Sequence, residues 1–592
     1  MIKLSDYIAK RLKEVHNVKD VFMVSGGGAM HLNDSFGKYI HYICNHNEQA
    51  CAIAAEGYAR VNQDLAVVNI TTGPGGLNCL NGVFGQWTDS APVLYVSGQV
   101  KYSTTMDSCK EIPLRQLGDQ EVDIVSVVKP LTKYAVMLKD KNDVKYVLDK
   151  AIYIATHGRK GPVWIDIPLN IQAAMIDENE LREYNPKEDE LLLPNIDEEV
   201  NKTAELIKNA KRPIIVAGHG IRISGAKQEF SDLVNELNIP VVTTMNGFDV
   251  IPEDNSNFIA RIGTVANRAG NFALQNADLV LTIGSRNNIR QVSYNWENFA
   301  KNAKLVCVDI DKAELDKPTI KPFIKINADA KEFIQKLRQK NISVNVKKWS
   351  DFCKKLKKKY PPVTEAERVG NNPIEPYFFI EKLIEQFRDN EVVVGGNGTA
   401  FLLPFQVGKV KSNQRYIWNS GDASMGYDLP AAIGACAANN FKRTVCLAGD
   451  GSIMMNLQEL QTMKHYNLPI KLFVLNNNGY ISIQQTQRNF FDGRYTACTT
   501  DSGVSVPDFI ALGNAFGIKT AKIDSLENLE TQIQDVLNTE GLVLCEVMLS
   551  PDYIFAPKLS AKKLDDGTMI SPSLEDLYPF LDRKEYEENM LQ

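Results

Sequence analysis

Two short stretches in the last third of the chain carry residues able to hold a cation and an anion together. Val445–Ala448 is a short apolar run that ends in Gly449-Asp450-Gly451, Leu457 to Tyr466 has helical spacing, and Ile470–Leu475 is a second apolar run ending in Asn476-Asn477. This is the pattern of a strand, a helix and a second parallel strand, a unit that brings both strand ends to one sheet edge, where ligands bind. If the strands are neighbours, their ends lie about 5 Å apart. Asp450 and Asn477 could then share one cation, while Gly449 and Gly451 let backbone N–H groups approach an anion. One carboxylate, one amide and bare backbone suit Mg²⁺ held mostly through a ligand's phosphates.

The elements needed to position those residues are legible along the chain. Its 592 residues, 44% apolar and 23% charged, are enough for three or four globular domains. A net charge of −6 argues against a nucleic-acid surface. No apolar run is long enough to span a membrane, and the amphipathic N-terminus does not read as a signal peptide. Ten cysteines without a CxxC pair read as buried small hydrophobes in a reducing compartment, hence a cytoplasmic protein. The seven histidines form no zinc-type cluster. Residues 1–180 alternate strand candidates (Val21–Val24, Ala66–Thr71, Val93–Val96, Val163–Ile167) with helical patterns, so an α/β domain with a parallel sheet is expected. An acidic linker over 176–200 leads to a second α/β domain, 190–345. The lysines of a stretch from Lys347 to Pro362 read as a solvated helix face, and with Val363 to Pro373 that stretch reads as a second linker. A third α/β domain follows over 370–555, then a polar tail, 556–592.

Glu48 stands just before the Ala-rich helical run Ala50–Ala59. Taken alone it reads equally as a residue capping that helix, since a carboxylate is favoured at a helix N-terminus. Met425, in a small-residue turn, reads alone as a core methionine.

The Gly-Asp-Gly turn followed after 24 residues by Asn-Asn, together with HNEQACAIAAEGYAR, GPGGLN and DSAPVLYVSGQ, resembles the acetolactate synthase branch of thiamine diphosphate (ThDP) enzymes. The motifs occur in family order through nearly the whole chain. The resemblance implies three doubly wound parallel-sheet domains that bind the coenzyme's pyrimidine, a flavin or nothing, and the diphosphate. It places the proton-relay glutamate at Glu48, a structural acid at Glu56, the loop beside the cofactor at Gly73, Pro74 and Asn78, and a substrate-facing glutamine at Gln120. It also implies that Gly396, Asn397, Gly398, Thr399, Gly449, Asp450, Gly451, Ser452, Asn477, Gly479 and Tyr480 surround the diphosphate. Asp450, Asn477 and the Gly479 carbonyl would be the metal ligands. Ala423 would offer its carbonyl to the pyrimidine amine, and Met425 would wedge the coenzyme into a bent shape. If FAD is retained, Gly218, Gly263, Arg286, Arg290 and Asp309 would meet it; a central domain that kept its fold and lost its flavin is the alternative.

The activity implied is decarboxylation of a 2-keto acid, pyruvate in the first instance, with transfer of the acyl carbanion to a second carbonyl. A non-ligating decarboxylase or oxidase is the alternative. The sites would form between subunits of a homodimer or homotetramer. Two departures from the family pattern matter. Asp119 stands where phenylalanine is usual, and Gln484 or Gln485 stands where tryptophan is usual. They suggest a more polar pocket and another acceptor, such as a keto-sugar nucleotide. Arg115 reads as a solvated surface residue.

Overall fold

The computed structural model describes residues 1–368, 373–563, 566 and 568–591. It contains three six-stranded parallel sheets. In the first domain the strands lie in the order His41–Cys44, Asp20–Met23, Ala66–Ile70, Val93–Gln99, Val163–Pro168, Tyr134–Met137. The third domain repeats that order with Arg415–Ile417, Val392–Gly395, Thr444–Gly449, Ile470–Asn476, Val543–Met548 and Lys519–Ile523. The central sheet runs differently: Phe258–Arg261, Val241–Thr243, Pro213–Ala217, Leu279–Ile283, Lys304–Asp309, Ile324–Asn327. That is the order in which dinucleotide-binding sheets place their switch point between the first and fourth strands. The inner strands are buried apart from a few end residues such as Lys304, as helices on both faces require.

The acidic segment read as a linker has more structure than its composition suggests, and the lysine-rich segment is the helix its solvated face implied. The acidic stretch ends inside a helix, Asp197–Asn209, whose first turn carries Asp197, Glu198 and Glu199. Acidic side chains there oppose the positive end of the helix dipole. The lysine-rich stretch is the helix Lys347–Lys359, with Trp349, Cys353 and Leu356 buried on the central core and the lysines outside. Trp349 Nε1 donates to the Pro213 carbonyl at 2.8 Å, so this helix belongs to the central domain. The expected start of the third domain at 370 lies outside the described residues.

The polar tail is likewise tied down. Asn271 donates to the Leu574 carbonyl at 2.8 Å, Gln275 to Glu575 at 2.8 Å, and Tyr360 to Glu585 at 2.7 Å, all from the central domain. A short helix, Arg583–Glu588, follows its cap Asp582.

The first and third domains share one hydrophobic core. It is built where helix Glu48–Asn62 crosses helix Asp428–Ala438, both rich in alanine and glycine. A Cβ on Gly57 would collide with the Ala431 carbonyl, and one on Gly434 with the Ala54 carbonyl. Backbone meets backbone, so no side chain can yield. Gly434→Leu is therefore expected to lower stability by about 2 kcal/mol or more, read from the denaturant midpoint, whereas Gly493→Ala, in a turn with open space, should cost less.

Candidate active site

The strands Thr444–Gly449 and Ile470–Asn476 are direct neighbours, with Gly449 opposite Leu475. Asp450 sits at their joint ends, 2% exposed. Its carboxylate accepts from the backbone N–H groups of Gly451 at 2.7 Å, Asn477 at 3.1 Å and Gly479 at 3.0 Å. Burial nevertheless outweighs these bonds and pushes its pKa up to about 6. Asn477 Nδ2 donates to Thr399 Oγ1 at 3.1 Å, while Asn477 Oδ1 is buried with no hydrogen-bond partner. A buried amide oxygen without a donor is costly unless something absent from the chain satisfies it. A hard cation bound between Asp450 and Asn477 would do so.

Glycine is needed around this loop for two distinct reasons. Gly451 lies against the ring of Tyr480, which a Cβ would strike. Gly479 has φ +125° and a Cβ there would approach the Cys498 carbonyl to 2.7 Å.

Opposite lies the turn between strand Val392–Gly395 and helix Thr399–Val407. Gly396 N–H donates to the Leu447 carbonyl and Gly398 N–H to Asn397 Oδ1, so these two are already engaged. The N–H groups of Asn397 and Thr399 have no acceptor among the described hydrogen bonds. They are the ones left for an anion at the helix N-terminus. The Ala423 carbonyl accepts from Asn397 Nδ2, and Ala423 itself has φ +59°, a left-handed conformation unusual for alanine. Met425 follows, half-buried. Its turn is fixed to the Asp450 loop by Ser452 Oγ, which accepts from Gly426 N–H at 3.0 Å and donates to Asp428 at 2.8 Å.

Two positioning residues were not read from the sequence. Asp428, fully buried and pushed up to about 6 by that burial, ties Ser452 to Met425's turn. Tyr553 reaches back from beyond the last strand to hydrogen bond with Thr399 and, at 3.4 Å, with Asn477. An aspartate at a helix start and a tyrosine in a loop carry no local signal; only the fold brings them here.

Glu48 is the first residue of its helix, but the cap is Asn47, whose side chain accepts from Gln49 N–H at 2.8 Å. That leaves the Glu48 carboxylate free of the capping role. It accepts from Asn78 at 2.9 Å and faces Gly75. Gly73, φ +61°, lies against the backbone of Gln120 with Pro74 opening the short helix Pro74–Asn78. Gln120, Asp119 and Arg115 are exposed on a loop held by Glu121, which accepts from Leu117 and Gly118 N–H. All the described hydrogen-bond partners of Glu48 lie in its own domain, and none belongs to the Asp450 loop. Glu56 is buried against Arg60 and Tyr427, in keeping with a structural role.

The two glutamines in place of tryptophan spend their amides on the chain itself. Both are buried and bound to backbone: Gln484 donates to the Cys498 carbonyl at 3.0 Å and Gln485 to the Tyr553 carbonyl at 3.1 Å. They brace helix Ile481–Phe490 on the loops around it.

A second cavity, of about 360 Å³, opens at the switch point of the central sheet, between the first and central domains. Arg286 and Asp309 line it; Gly218, Gly263 and Arg290 do not. Burial pushes Asp309 up to about 6. Gly218 is packed on the Gly284 backbone, and Gly263 approaches the Arg290 carbonyl. The side chain of Arg290 is exposed.

Family models match the chain in three consecutive segments. They are thiamine pyrophosphate enzyme N-terminal TPP binding domain over 2–127, central domain over 200–337, and C-terminal TPP binding domain over 396–547. The acetolactate synthase large subunit of Cyanidium caldarium is 31% identical over 93% of each chain, and that of Lactococcus lactis 31% identical over 94% of each. A probable acetolactate synthase large subunit of Methanocaldococcus jannaschii is 29% identical over 93% of this chain and 92% of its own. The chain belongs to the thiamine pyrophosphate enzyme family. Its relatives lie in the acetolactate synthase branch, and the two strand ends around Asp450 fall within the matched C-terminal TPP binding segment.

The raised pKa of Asp450 gives this site a pH signature. Its folded value lies above the usual carboxyl value, so without a ligand its contribution to stability is present at low pH and lost as pH rises through about 6. A bound cation reverses that balance by favouring the ionised form. The melting temperature gained on adding ThDP with Mg²⁺ is therefore expected to grow as pH rises through about 6, and Asp450→Asn should abolish the gain at every pH.

Proposed function

We propose that this protein is a ThDP- and Mg²⁺-dependent carboligase that removes CO₂ from a 2-keto acid, pyruvate in the first instance, and passes the acyl unit to a second carbonyl. The observation that carries this reading is the partnerless Asn477 Oδ1 beside Asp450 at two adjoining strand ends. It is a prepared half of a cation site with diphosphate-binding N–H groups opposite.

The bound thiazolium supplies the electron sink that no side chain offers for charge left on a carbonyl carbon. The chain's own groups do the rest. Asp450, Asn477 and the Gly479 carbonyl hold the cation and through it the diphosphate. Ser452 and Asp428 fix the turn that presents Met425 as a wedge, which is orientation, worth up to roughly 7–11 kcal/mol in ideal cases. Glu48, freed from capping by Asn47, holds a proton at the coenzyme's pyrimidine and returns it.

No described hydrogen bond joins Glu48 to the Asp450 loop of its own chain, which supports closure of each site between two copies in a homodimer or homotetramer. The exposed Leu77, Phe84 and Trp87 beside Asn78 support a contact at that face. Ten free thiols support a reducing, cytoplasmic setting. For the central cavity we propose FAD. The dinucleotide-type strand order, an acid at Asp309 suited to ribose hydroxyls and a guanidinium at Arg286 support it, with no flavin step required in the reaction.

Three measurements test these readings. Pyruvate with ThDP, Mg²⁺ and a carbonyl acceptor should yield CO₂ and a product of new carbon–carbon bonding by mass spectrometry; free acetaldehyde or oxygen uptake alone would reject ligation. Glu48→Gln should bind coenzyme nearly as well yet turn over about 100-fold or more slowly. The purified protein should be yellow, and a colourless protein that gains no absorbance on incubation with FAD would reject the flavin.

A further inference from the structure

Helix Ile481–Phe490 leaves the metal loop directly. Tyr480, at its start, has its ring against Gly451, and Ser482 Oγ lies 3.4 Å from where Gly398 would carry a Cβ. Its inner face is fixed by Gln484 and Gln485, as described. Its outer end is different. Phe490 is 58% exposed and Phe491 52% exposed. The chain then turns at Gly493, φ +72°, and folds back along the helix. There Gln487 donates to the Thr496 carbonyl at 2.9 Å and accepts from Thr496 N–H at 2.7 Å, while Arg488 Nε donates to Tyr495 OH at 3.2 Å.

The result is an ordered corner that presents two aromatic faces and two guanidiniums. Neither Arg488 nor Arg494 has a carboxylate within 4.0 Å among the described residues, although Asp492 lies between them in sequence. Other arginines, such as Arg338, Arg415 and Arg443, do hold carboxylates. Large aromatics left in water beside uncompensated cations mark a surface that binds something. Aromatic faces suit a nucleobase, and guanidiniums suit phosphate oxygens.

The helix sets the corner well apart from the metal loop. Ten helical residues span about 15 Å at 1.5 Å each. A keto acid at the coenzyme would not reach the corner; a sugar joined through a diphosphate to a nucleoside would. We propose that Arg488, Phe490, Phe491 and Arg494 form the recognition site for the nucleoside diphosphate of an acceptor whose reacting group is a ketone on the attached sugar.

This rests on the carboligase reading and names its acceptor class. In the net reaction the keto acid loses CO₂. Its acyl carbon bonds to the ketone carbon of the sugar, and the ketone oxygen gains one proton to become a tertiary alcohol. No oxidant or reductant is consumed.

The test is calorimetric titration of the holoenzyme with UDP, CDP, GDP and dTDP, which needs no turnover and so is independent of the activity itself. At least one nucleotide should bind, and Arg488→Ala and Arg494→Ala should each weaken it tenfold or more, with Phe490→Ala also weakening it. Both arginine variants should keep the wild-type thermal shift with ThDP and Mg²⁺, which shows that they fold. Absence of binding by all four nucleotides, or unchanged affinity in the arginine variants, would overturn the proposal. So would a change of oligomeric state in sedimentation of those variants, which would make the corner a subunit contact. Failure to release CO₂ from any keto acid would instead strike the carboligase reading.

Discussion

Asp450 is a carboxylate taken almost wholly out of water and held by three backbone N–H groups where two parallel strands end together. Burial penalises its charge more than those N–H groups relieve it. The loop therefore stays in an uncomfortable balance unless a cation arrives, and Asn477 Oδ1 is in the same position. Much of the third domain serves to hold that pair in place. Thr399 and Tyr553 orient the Asn477 amide, and Ser452 with Asp428 couples the loop to the turn bearing Met425.

The most stringent packing lies elsewhere, where the two alanine-rich helices of the first and third domains touch backbone to backbone. It gives the two domains a common core and makes them one rigid support. The central domain, with its own core and a different strand order, is the part free to differ in what it binds.

Local patterns in the sequence carried much of this. Alternating apolar runs located the parallel strands, and the spacing of Asp450 and Asn477 brought the two to one sheet edge, because a strand–helix–strand unit has few ways to fold. The resemblance to a family supplied what spacing could not, a role for Glu48; the structure then moved capping to Asn47. The sequence misled where composition was taken for structure. The acidic stretch looked like a linker, yet it ends in a helix buried through Val200, while the lysine-rich stretch is the helix its solvated face implied and packs on the central core through Trp349. Gln484 and Gln485 looked like pocket polarity and proved to be braces. Tyr553 and Asp428 could not be found, since their roles arise from contacts between residues distant along the chain.

Residues 574–585, which follow the third domain, lie across the central domain, with Leu574, Glu575 and Glu585 bonded to Asn271, Gln275 and Tyr360. During synthesis, domains emerge and fold in order from the N-terminus. Here the middle domain stays incomplete, with the apolar flank that Leu574, Leu581 and Tyr586 cover left open, until that segment has been made. A segment made after the third domain thus completes the second, and nascent chains halted before it would expose a surface that chaperones recognise.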